Sequence, residues 1–477
     1  MAGAEAREER TPILRVLLIS TYELGHQPLH VAWPAAALLS AGHSVKALDL
    51  AVEEWDNPKV AWADVVGVSV PMHTAMRLGV ETARRIREAR PGLPIAFYGL
   101  YAAAASDRVV GEVADRAIAG EYTAGLVEWV GSLERGSWEG VVPISISTVR
   151  SSSLVPARGL LPSLDKYARM KHGGSTRLVG YVEGSRGCRH RCRHCPLPAV
   201  YDGRYRIVDL ESVLADLQWL TENGAEHVTF GDPDFLNGPA HARRLIEAAN
   251  SEFPELTFDL TVKVEHILSH SSIWGEMAKR NVVFVVSAFE TVNNRVLACL
   301  DKGHTVSELP RAVTVLREAG LVVRPSWLPF TPWTEISDLD DIFSFIADQD
   351  LMGATDPVQM GIRLLVPEGS LVLDIPGARG EILGSYDFST LSYTWESLHP
   401  AVDELQRSVL ALAEQGSRGE MDPRQTLHAQ WSAARRAIRR PPPSVDEVDW
   451  GESVPGLTES WFCCAEPTEI QMAGVSS

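Results

Sequence analysis

The sequence predicts an α/β protein built from two successive strand-and-helix units and a mostly helical C-terminal region. Short apolar runs alternate with amphipathic stretches from residue 13 to 133, and the same alternation returns from residue 178 to 369. At 477 residues, the chain also exceeds the length that one hydrophobic core usually serves. We therefore expect separate domains joined by a linker.

The composition is typical of a soluble globular protein, with 45% hydrophobic and 22% charged residues. The formal net charge of −18 disfavours a surface that follows nucleic-acid phosphates. No apolar run approaches the ~18 residues needed to cross a bilayer, and the charged N-terminus "MAGAEAREERTP" does not resemble a signal peptide. These features predict a cytoplasmic protein whose partners include neither a membrane nor nucleic acid.

The first unit, residues 13–133, contains the apolar runs "LRVLLIS", "SVKALDL", "DVVGVSV" and "IAFYG". Helical stretches follow them, one of them expected from about residue 74 to 90. This alternation predicts a doubly wound parallel sheet of about five strands, of the Rossmann or flavodoxin type. Such sheets bind ligands at the carboxyl ends of their strands, so we expect a domain that binds a small molecule.

Residues 134–177 lack periodicity and are predicted to form a linker. The second unit, residues 178–369, shows about six strand–helix repeats, with helices expected at 210–222 and about 239–253 and the last strand over "VQMGIRLLVP". This pattern predicts a partial (β/α)6 barrel of the TIM type, with catalytic groups at the strand carboxyl ends. Residues 370–477 form the C-terminal extension, with helices expected at 400–415 and 423–440 and a proline-rich linker after them.

The segment "GSRGCRHRCRHCPLP" holds three of the six cysteines in a C-x3-C-x2-C spacing, on the loop after the first barrel strand. Three thiolates on one loop can hold three irons of a cubane cluster and leave the fourth iron open to substrate. A zinc site formed by the same cysteines with His190 or His194 is the alternative. Zinc sites usually pair C-x2-C with a second distant pair, which is not evident here.

This loop and three later segments, "FGDPDF", "SAFETVNNRVLACLDKG" and "REAGLVVRPSWLPF", resemble the radical S-adenosylmethionine (SAM) superfamily. The resemblance implies that Cys188, Cys192 and Cys195, preceded by Gly187, bind a 4Fe-4S cluster whose fourth iron is chelated by SAM. Reductive cleavage of SAM would give a 5′-deoxyadenosyl radical that abstracts hydrogen from the substrate. The resemblance also implies an external low-potential electron donor of the flavodoxin or ferredoxin type.

Other candidate site residues lie where later strands end. The resemblance places Asp232 at the position that contacts the SAM amino group, whereas Asp234 could equally cap the next helix. Four charged residues are further candidates for cofactor binding because of their place near strand ends: Lys263, Glu265, Glu290 and Lys302. For each of these four, a solvated ion pair is the alternative.

The first unit resembles the cobalamin-binding domain that precedes the barrel in one large class of the superfamily, through "RVLLIS", "HQPLHVAWPAAALLSAGHSV", "DVVGVSVPMHTA" and "IAGE". The resemblance implies cobalamin binding at Ser69, Gly99 and Gly120. Two departures stand against it: the sequence lacks D-x-H-x-x-G, and "YGLYAAAAS" keeps a single glycine of the usual pair. The alternative is a degenerate scaffold or a substrate-binding module.

The C-terminal "WFCCAEP" resembles a subgroup of radical SAM proteins named for a CCAEP or CUAEP tail, where U is selenocysteine. Exchange of sulfur for selenium implies a redox or soft-ligand role, so Cys463 and Cys464 are candidate catalytic residues. An apolar clip against the barrel is the alternative. Cys299 lies in an apolar helical stretch and is expected in the core.

Together these features predict a radical SAM enzyme, by resemblance a cobalamin-dependent methyl- or alkyltransferase. Its substrate is expected to be a small molecule of specialised metabolism, with an arsenic- or selenium-containing compound as one option. The alternatives are a cobalamin-independent radical SAM mutase, cyclase or methylthiotransferase, and a non-catalytic iron–sulfur protein that binds a metalloid.

Overall fold

The computed structural model describes residues 13–104, 109–137, 140, 142–149, 154–444, 454–459 and 466–476. The N-terminal part is a six-stranded parallel sheet in the order β2-β1-β3-β4-β5-β6. Its strands, in chain order, are β1 (Arg15–Ser20), β2 (Ser44–Asp49), β3 (Val65–Ser69), β4 (Ile95–Tyr98), β5 (Arg116–Gly120) and β6 (Val142–Ser147).

Helices cover both faces of this sheet, which is why β3 and β4 are buried along their whole length and, apart from Ser69 and the Tyr98 hydroxyl, apolar. The helices are α1 (Leu29–Ser40), α2 (Asn57–Trp62), α3 (His73–Ala89), α4 (Val109–Glu112) and α5 (Tyr122–Glu134). Capping fixes the start of α2, where the Asp56 carboxylate accepts a hydrogen bond from the Lys59 amide at 2.8 Å. The predicted doubly wound sheet is therefore present.

The segment predicted as a linker, residues 134–177, contributes to both sheets instead. Its first part supplies β6, which pairs in parallel with β5. Its last part supplies β7 (Arg169–His172), which pairs antiparallel with the first barrel strand, β8 (Ser175–Val182). Short strands escape periodicity analysis because a few residues carry too little pattern to distinguish a strand from a loop.

The second sheet has seven strands in the order β14-β13-β12-β11-β8-β7-β17. Five neighbouring strands of this sheet run parallel, namely β8, β11, β12, β13 and β14. A separate antiparallel pair, β9 with β10, follows β8 in the chain. The remaining strands are β9 (Ser185–Gly187), β10 (Tyr205–Ile207), β11 (His227–Phe230), β12 (Thr257–Thr261), β13 (Val282–Glu290) and β14 (Val322–Trp327), with β15 to β17 in the C-terminal extension.

Helices pack on the outer face of this sheet and share one large apolar core with it. They are α7 (Leu210–Glu222), α8 (Pro239–Glu252), α9 (Val264–Ser269), α10 (Trp274–Lys279), α11 (Asn294–Leu300), α12 (Leu309–Glu318) and α13 (Asp338–Asp348). The short α6 (Leu197–Tyr201) packs instead in the core of the first sheet. The two ends of the sheet approach each other, because Arg324 of β14 donates to the Pro455 carbonyl next to β17 at 3.2 Å. The sheet therefore curls into a half barrel.

The sixth barrel strand predicted over "VQMGIRLLVP" is reduced to a single β-bridge. Residues Pro357–Gly361 form a 3-10 turn, and only Arg363 pairs with the chain beyond β14, through Phe330. The predicted set of about six strands thus becomes five parallel strands and this bridge.

The C-terminal extension wraps the half barrel with β15 (Leu383–Asp387), β16 (Ser392–Trp395), α14 (Pro400–Ser417), α15 (Pro423–Ala437), β17 (Gly456–Leu457) and α16 (Glu469–Ser476). The fully buried Asp340 of α13 holds α15, since its carboxylate accepts from Trp431 Nε1 at 2.7 Å and from Arg435 at 3.1 Å. Within the described residues, none of the helices combines the length and apolar character that a bilayer crossing demands.

Candidate active site

The carboxyl ends of the two parallel sheets face each other, and charged side chains join them. Arg186, in β9, donates to Glu121 beyond β5 at 3.0 Å and to Glu183 beyond β8 at 3.2 Å. Its guanidinium also lies 3.7 Å from the centroid of the Trp33 ring in α1. The predicted site residues of both domains therefore border one interface.

The cysteine loop begins where β9 ends. Gly187 has φ +75, and a Cβ at this position would lie 2.5 Å from the Arg204 carbonyl oxygen, so only glycine fits without strain. Cys188 and Cys192 are buried and Cys195 is partly buried. Burial raises the pKa of Cys188, and it raises that of Cys195 to about 12. Ligation of a metal by these thiols must therefore release their protons.

Hydrogen bonds to two later elements hold this loop in place. The Arg193 amide donates to the carbonyl of Leu300 at the end of α11, at 2.8 Å, and the Arg193 side chain donates to the Cys299 carbonyl at 3.0 Å. The Arg189 amide donates to the side chain of the fully buried Asn237 at 3.0 Å. Cys299, expected in the core, is instead partly buried and packs against the edge of the barrel core.

Asp232 lies beyond β11 and accepts hydrogen bonds from the segment that leads into the cysteine loop. The Gly184 amide donates to it at 2.8 Å and the Ser185 hydroxyl at 2.6 Å. Burial raises the pKa of Asp232 to about 7, against the effect of these two bonds. Asp232 thus orients the backbone before the cysteines, whereas its expected contact with the SAM amino group stays a prediction.

Glu290 and Lys302 form a buried ion pair beside the same loop. Lys302 Nζ donates to Glu290 Oε1 at 2.9 Å, and His194 Nε2 lies 3.1 Å from the same oxygen. Burial alone would raise the pKa of Glu290, but Lys302 and His194 outweigh it and hold that pKa well below its usual range. The pair is present as the alternative interpretation expected, yet both residues are buried rather than solvated.

Glu290 has φ +65, a backbone region that a residue with a side chain rarely adopts. The register between β13 and β14 shifts at this point, so the strand ends in an irregularity that turns the carboxylate toward Lys302. Strained backbone of this kind is concentrated at functional sites.

Lys263 and Glu265 lie at the start of α9 and differ in burial. Lys263 is buried, whereas the side chain of Glu265 is 45% exposed, and Lys263 Nζ lies 3.7 Å from Glu265 Oε2. Glu265 Oε2 is also 3.7 Å from His190 Nδ1. This pair is therefore a half-solvated ion pair at the edge of the cysteine loop.

One cluster was not foreseen from the sequence. Asp234 is buried, with His266 Nδ1 at 2.7 Å and His190 Nε2 at 3.5 Å from its Oδ2. Burial alone would raise the pKa of Asp234, but the two imidazoles outweigh it and lower that pKa to about 2. The other carboxylate oxygen accepts from the Leu236 amide at 3.3 Å, so the predicted capping role is also present.

The candidate cobalamin residues lie at strand ends of the first sheet, at its face toward the half barrel. Ser69 ends β3 and is buried. Gly99 and Gly120 have positive φ, and a Cβ on them would meet the backbone of Val70 at 3.0 Å and of Ser147 at 2.0 Å. Both glycines are therefore required by close approach of the protein's own backbone, and their contact with a corrin stays a prediction.

Several polar atoms at the same strand ends are buried and make no hydrogen bond to any residue that the structure describes. They include Glu23 Oε2 and His26 Nδ1 after β1, and the Tyr122 hydroxyl after β5. Burial lowers the pKa of His26 to about 4, so its ring is neutral at pH 7. Buried polar atoms without partners are rare in proteins and mark places where a ligand or water binds.

His30 of α1 bridges the domains between two carboxylates. Its Nδ1 lies 2.5 Å from Glu23 Oε1 and its Nε2 lies 3.3 Å from Glu183 Oε1. Burial alone would lower the pKa of His30, but the two carboxylates outweigh it and raise that pKa to about 10. His30 is therefore a buried cation at the interface.

A His30→Gln variant is expected to lose a pH-dependent part of the stability. Because the folded-state pKa of His30 lies above its ordinary value of 6.5, its contribution is complete below about pH 6.5 and is lost as the pH rises toward 10. Urea unfolding should show a wild-type advantage at pH 6.5 that shrinks toward pH 10. An advantage that stays constant over this range would mean that the charge of His30 is not responsible.

Cys463 and Cys464 lie outside the described residues, so their proposed role stays a prediction. The chain that follows them is anchored to the first domain. Glu466 Oε1 lies 3.0 Å from Nε2 of the buried His73, and its second oxygen pairs with Arg77 of the same helix. The adjoining α16 packs against α3.

Comparisons with known proteins agree with this architecture. Residues 182–338 match the profile of the Radical SAM superfamily. An uncharacterized methyltransferase of Synechocystis, sll1242, is 27% identical over 196 residues, which cover 41% of this chain and 33% of that protein. The chain thus matches about a third of the length of this relative.

Two solved structures have the same fold. The cobalamin-dependent S-adenosylmethionine radical enzyme OxsB with aqua-cobalamin bound aligns with a TM-score of 0.64 and 14% identity, covering 86% of this chain and 68% of OxsB. The radical S-adenosylmethionine methyltransferase TsrM from Kitasatospora setae aligns with a TM-score of 0.65 and 15% identity, covering 91% of this chain and 92% of TsrM. The predicted fold class is confirmed.

The matched residues 182–338 coincide with the half barrel and include all three cysteines of the C-x3-C-x2-C loop. The half barrel of this chain therefore matches the Radical SAM superfamily, and the chain as a whole shares the fold of OxsB and TsrM.

Proposed function

We propose that this enzyme is a cobalamin-dependent methyltransferase that acts on a small molecule. The observation that carries the proposal is the group of unpaired buried polar atoms on Glu23, His26 and Tyr122, at the strand ends that face the radical SAM domain. A large polar cofactor between the domains would supply their partners. The fold shared with OxsB and TsrM, and the relative named as a methyltransferase, support the same proposal.

The residues of the two domains fit a 4Fe-4S cluster and cobalamin. Cys188 and Cys192, both buried, and the partly buried Cys195 offer three thiols on one loop, the donor set of a cubane cluster with one open iron. When bound, these cofactors would supply the reductive cleavage of SAM and the transfer of its methyl group. The neutral ring of His26 and the hydroxyl of Tyr122 would hold cobalamin by hydrogen bonds from the side of the first domain.

The chain's own part is to fix the cysteine loop and to exclude water. Asp232 orients the backbone before Cys188, and the Lys302–Glu290 pair fixes His194 next to Cys195. Because these groups are buried, their charges are weakly screened and the loop is held in one arrangement.

Corrin retention tests the proposal. Protein purified without oxygen from cells supplied with the vitamin is expected to keep one corrin, seen in its visible spectrum. A Tyr122→Phe variant should bind it roughly fivefold more weakly, because one hydrogen bond is worth about 1 kcal/mol. Tyr386→Phe removes another buried, unpaired hydroxyl, on β15, and should leave the affinity unchanged.

Two outcomes would contradict the proposal. A protein that retains no corrin, yet forms 5′-deoxyadenosine from SAM and a low-potential reductant, would be a cobalamin-independent radical SAM enzyme. If Tyr122→Phe and Tyr386→Phe reduced the corrin affinity equally, the corrin would not bind at the strand ends of the first sheet.

A further inference from the structure

Three metal-ligating side chains from three different elements converge beside the cysteine loop. They are His190 from the loop itself, Asp234 from the segment after β11, and His266 from α9. One nitrogen or oxygen atom of each lies within 4.8 Å of the other two. The two rings meet edge to face, with their centroids 4.8 Å apart.

The polar atoms at the centre of this cluster lack hydrogen bonds. His190 Nε2, Asp234 Oδ2 and His266 Nδ1 are all buried, and none makes a hydrogen bond of acceptable geometry with the residues that the structure describes. The side chain of Asp234 is fully buried. A buried carboxylate needs a compensating cation, a role that protonated imidazoles or a metal ion shared with neutral imidazoles can fill.

The distances suit one shared ion. Asp234 Oδ2 lies 2.7 Å from His266 Nδ1 and 3.5 Å from His190 Nε2. Ligand atoms that each bind one ion at ~2.1 Å lie about 3 to 3.5 Å apart, so the distance to His190 already fits and His266 would move slightly away from Asp234 on binding. The second oxygen of Asp234 is engaged by the Leu236 amide, so the carboxylate is positioned to bind through Oδ2 alone.

We propose that His190, Asp234 and His266 bind one divalent transition-metal ion, distinct from the cubane cluster. Two imidazoles and one carboxylate favour zinc or iron(II) over magnesium and calcium, which prefer oxygen ligands alone. Three protein ligands leave at least one coordination position for water or a ligand. The ion would cross-link the cysteine loop to the segment after β11 and to α9.

Glu265 serves as the outer partner of this site. Its Oε2 lies 3.7 Å from His190 Nδ1, the ring nitrogen that faces away from Asp234. At this distance Glu265 does not hydrogen-bond the ring, but a small movement on metal binding would let it accept from Nδ1 and orient the ring as a ligand. The His270 ring, by contrast, only contacts the ring of His266, with centroids 5.6 Å apart.

The experiment uses protein whose cluster has first been rebuilt with iron and sulfide without oxygen, so that the cysteines are occupied. Zn²⁺ is then added by equilibrium dialysis and counted by elemental analysis. The wild type is expected to bind one Zn²⁺ per chain in addition to its iron. His266→Ala should bind at least ~100-fold more weakly and Glu265→Gln ~10- to 100-fold more weakly, with iron and sulfide unchanged. His270→Ala is the matched control and should bind as the wild type does.

A second measurement identifies the ligands and needs neither cobalamin nor turnover. Co²⁺ bound in place of zinc is paramagnetic, whereas the oxidised cubane is silent in electron paramagnetic resonance. Nitrogen couplings from two imidazoles are expected in the wild type and from one in His266→Ala. If His266→Ala does not fold, Asp234→Asn is measured in its place, because the asparagine oxygen can still accept the hydrogen bond from the Leu236 amide. Absence of metal beyond the cluster iron, or equal Zn²⁺ affinity in the wild type and Asp234→Asn, would overturn the proposal.

Discussion

Replacement of Cys192 with alanine is expected to abolish cleavage of SAM. The side chain is buried in the loop between Cys188 and Cys195, and two remaining thiolates cannot hold a cubane with a single open iron. After anaerobic reconstitution, the variant should contain little iron and sulfide and show no reduced-cluster signal in electron paramagnetic resonance. 5′-Deoxyadenosine should fall below detection.

Cys299→Ala is the matched control for this prediction. Cys299 is a free, partly buried cysteine of α11 whose backbone carbonyl, not its sulfur, contacts the loop through Arg193. The variant should keep its iron and its SAM cleavage. Equal iron content in Cys192→Ala and the wild type would show that Cys192 is not a cluster ligand.

Regular helices were the part of the fold that the sequence predicted best. The expected helix at residues 210–222 has the bounds of α7, and the one at about 239–253 differs from α8 by a single residue. Both helices are long and amphipathic, so each turn repeats the same apolar signal. Their apolar residues pack in the core that the half barrel shares with its helices.

The sixth barrel strand was not predictable because a distant helix decides the conformation there. A Cβ on Gly361 would lie 3.0 Å from Leu410 Cα, so α14 packs directly on this segment. Gln406 of the same helix donates to the Gly361 carbonyl at 2.9 Å, which replaces a hydrogen bond of the expected sheet. Contacts so far apart in the chain leave no local pattern.

The residues of the candidate site likewise fall into those that the sequence predicts and those that only the structure reveals. The cysteine spacing is local, so the sequence identified the three thiols and the resemblance that follows from them. His266 carried no signal, since only the fold brings it to Asp234. His30 likewise meets Glu183 only because the two domains dock. Constellations of single residues from separate elements require the structure.

Arg158 is such a residue, and its loss is expected to destabilise the protein strongly. It lies in the segment predicted as a linker, yet it is 1% exposed and joins both domains. Its guanidinium donates to both oxygens of the buried Asp216 on α7, at 2.5 and 2.8 Å. It also donates to Gln27 of the first domain at 2.9 Å and to the Tyr181 carbonyl of β8 at 2.6 Å.

Arg158→Ala would leave the Asp216 carboxylate buried without a cation, which costs about 3–5 kcal/mol. The free energy of unfolding, measured with urea, should fall by that amount. Arg158→Lys keeps the charge but not the two parallel hydrogen bonds, so it should lie between the wild type and Arg158→Ala.

The double variant Arg158→Met, Asp216→Leu separates the cost of an unpaired charge from the loss of the ion pair itself. Because it removes both charges and keeps similar volumes, it should recover most of the stability that Arg158→Ala loses. If the free energy of unfolding of Arg158→Ala instead fell by less than about 1 kcal/mol, as it does when an exposed ion pair is removed, Arg158 would not stabilise the contact between the two domains. The contacts of Arg158 matter for the site, because the same interface between the domains brings the strand ends of the first sheet against Glu183 and Arg186.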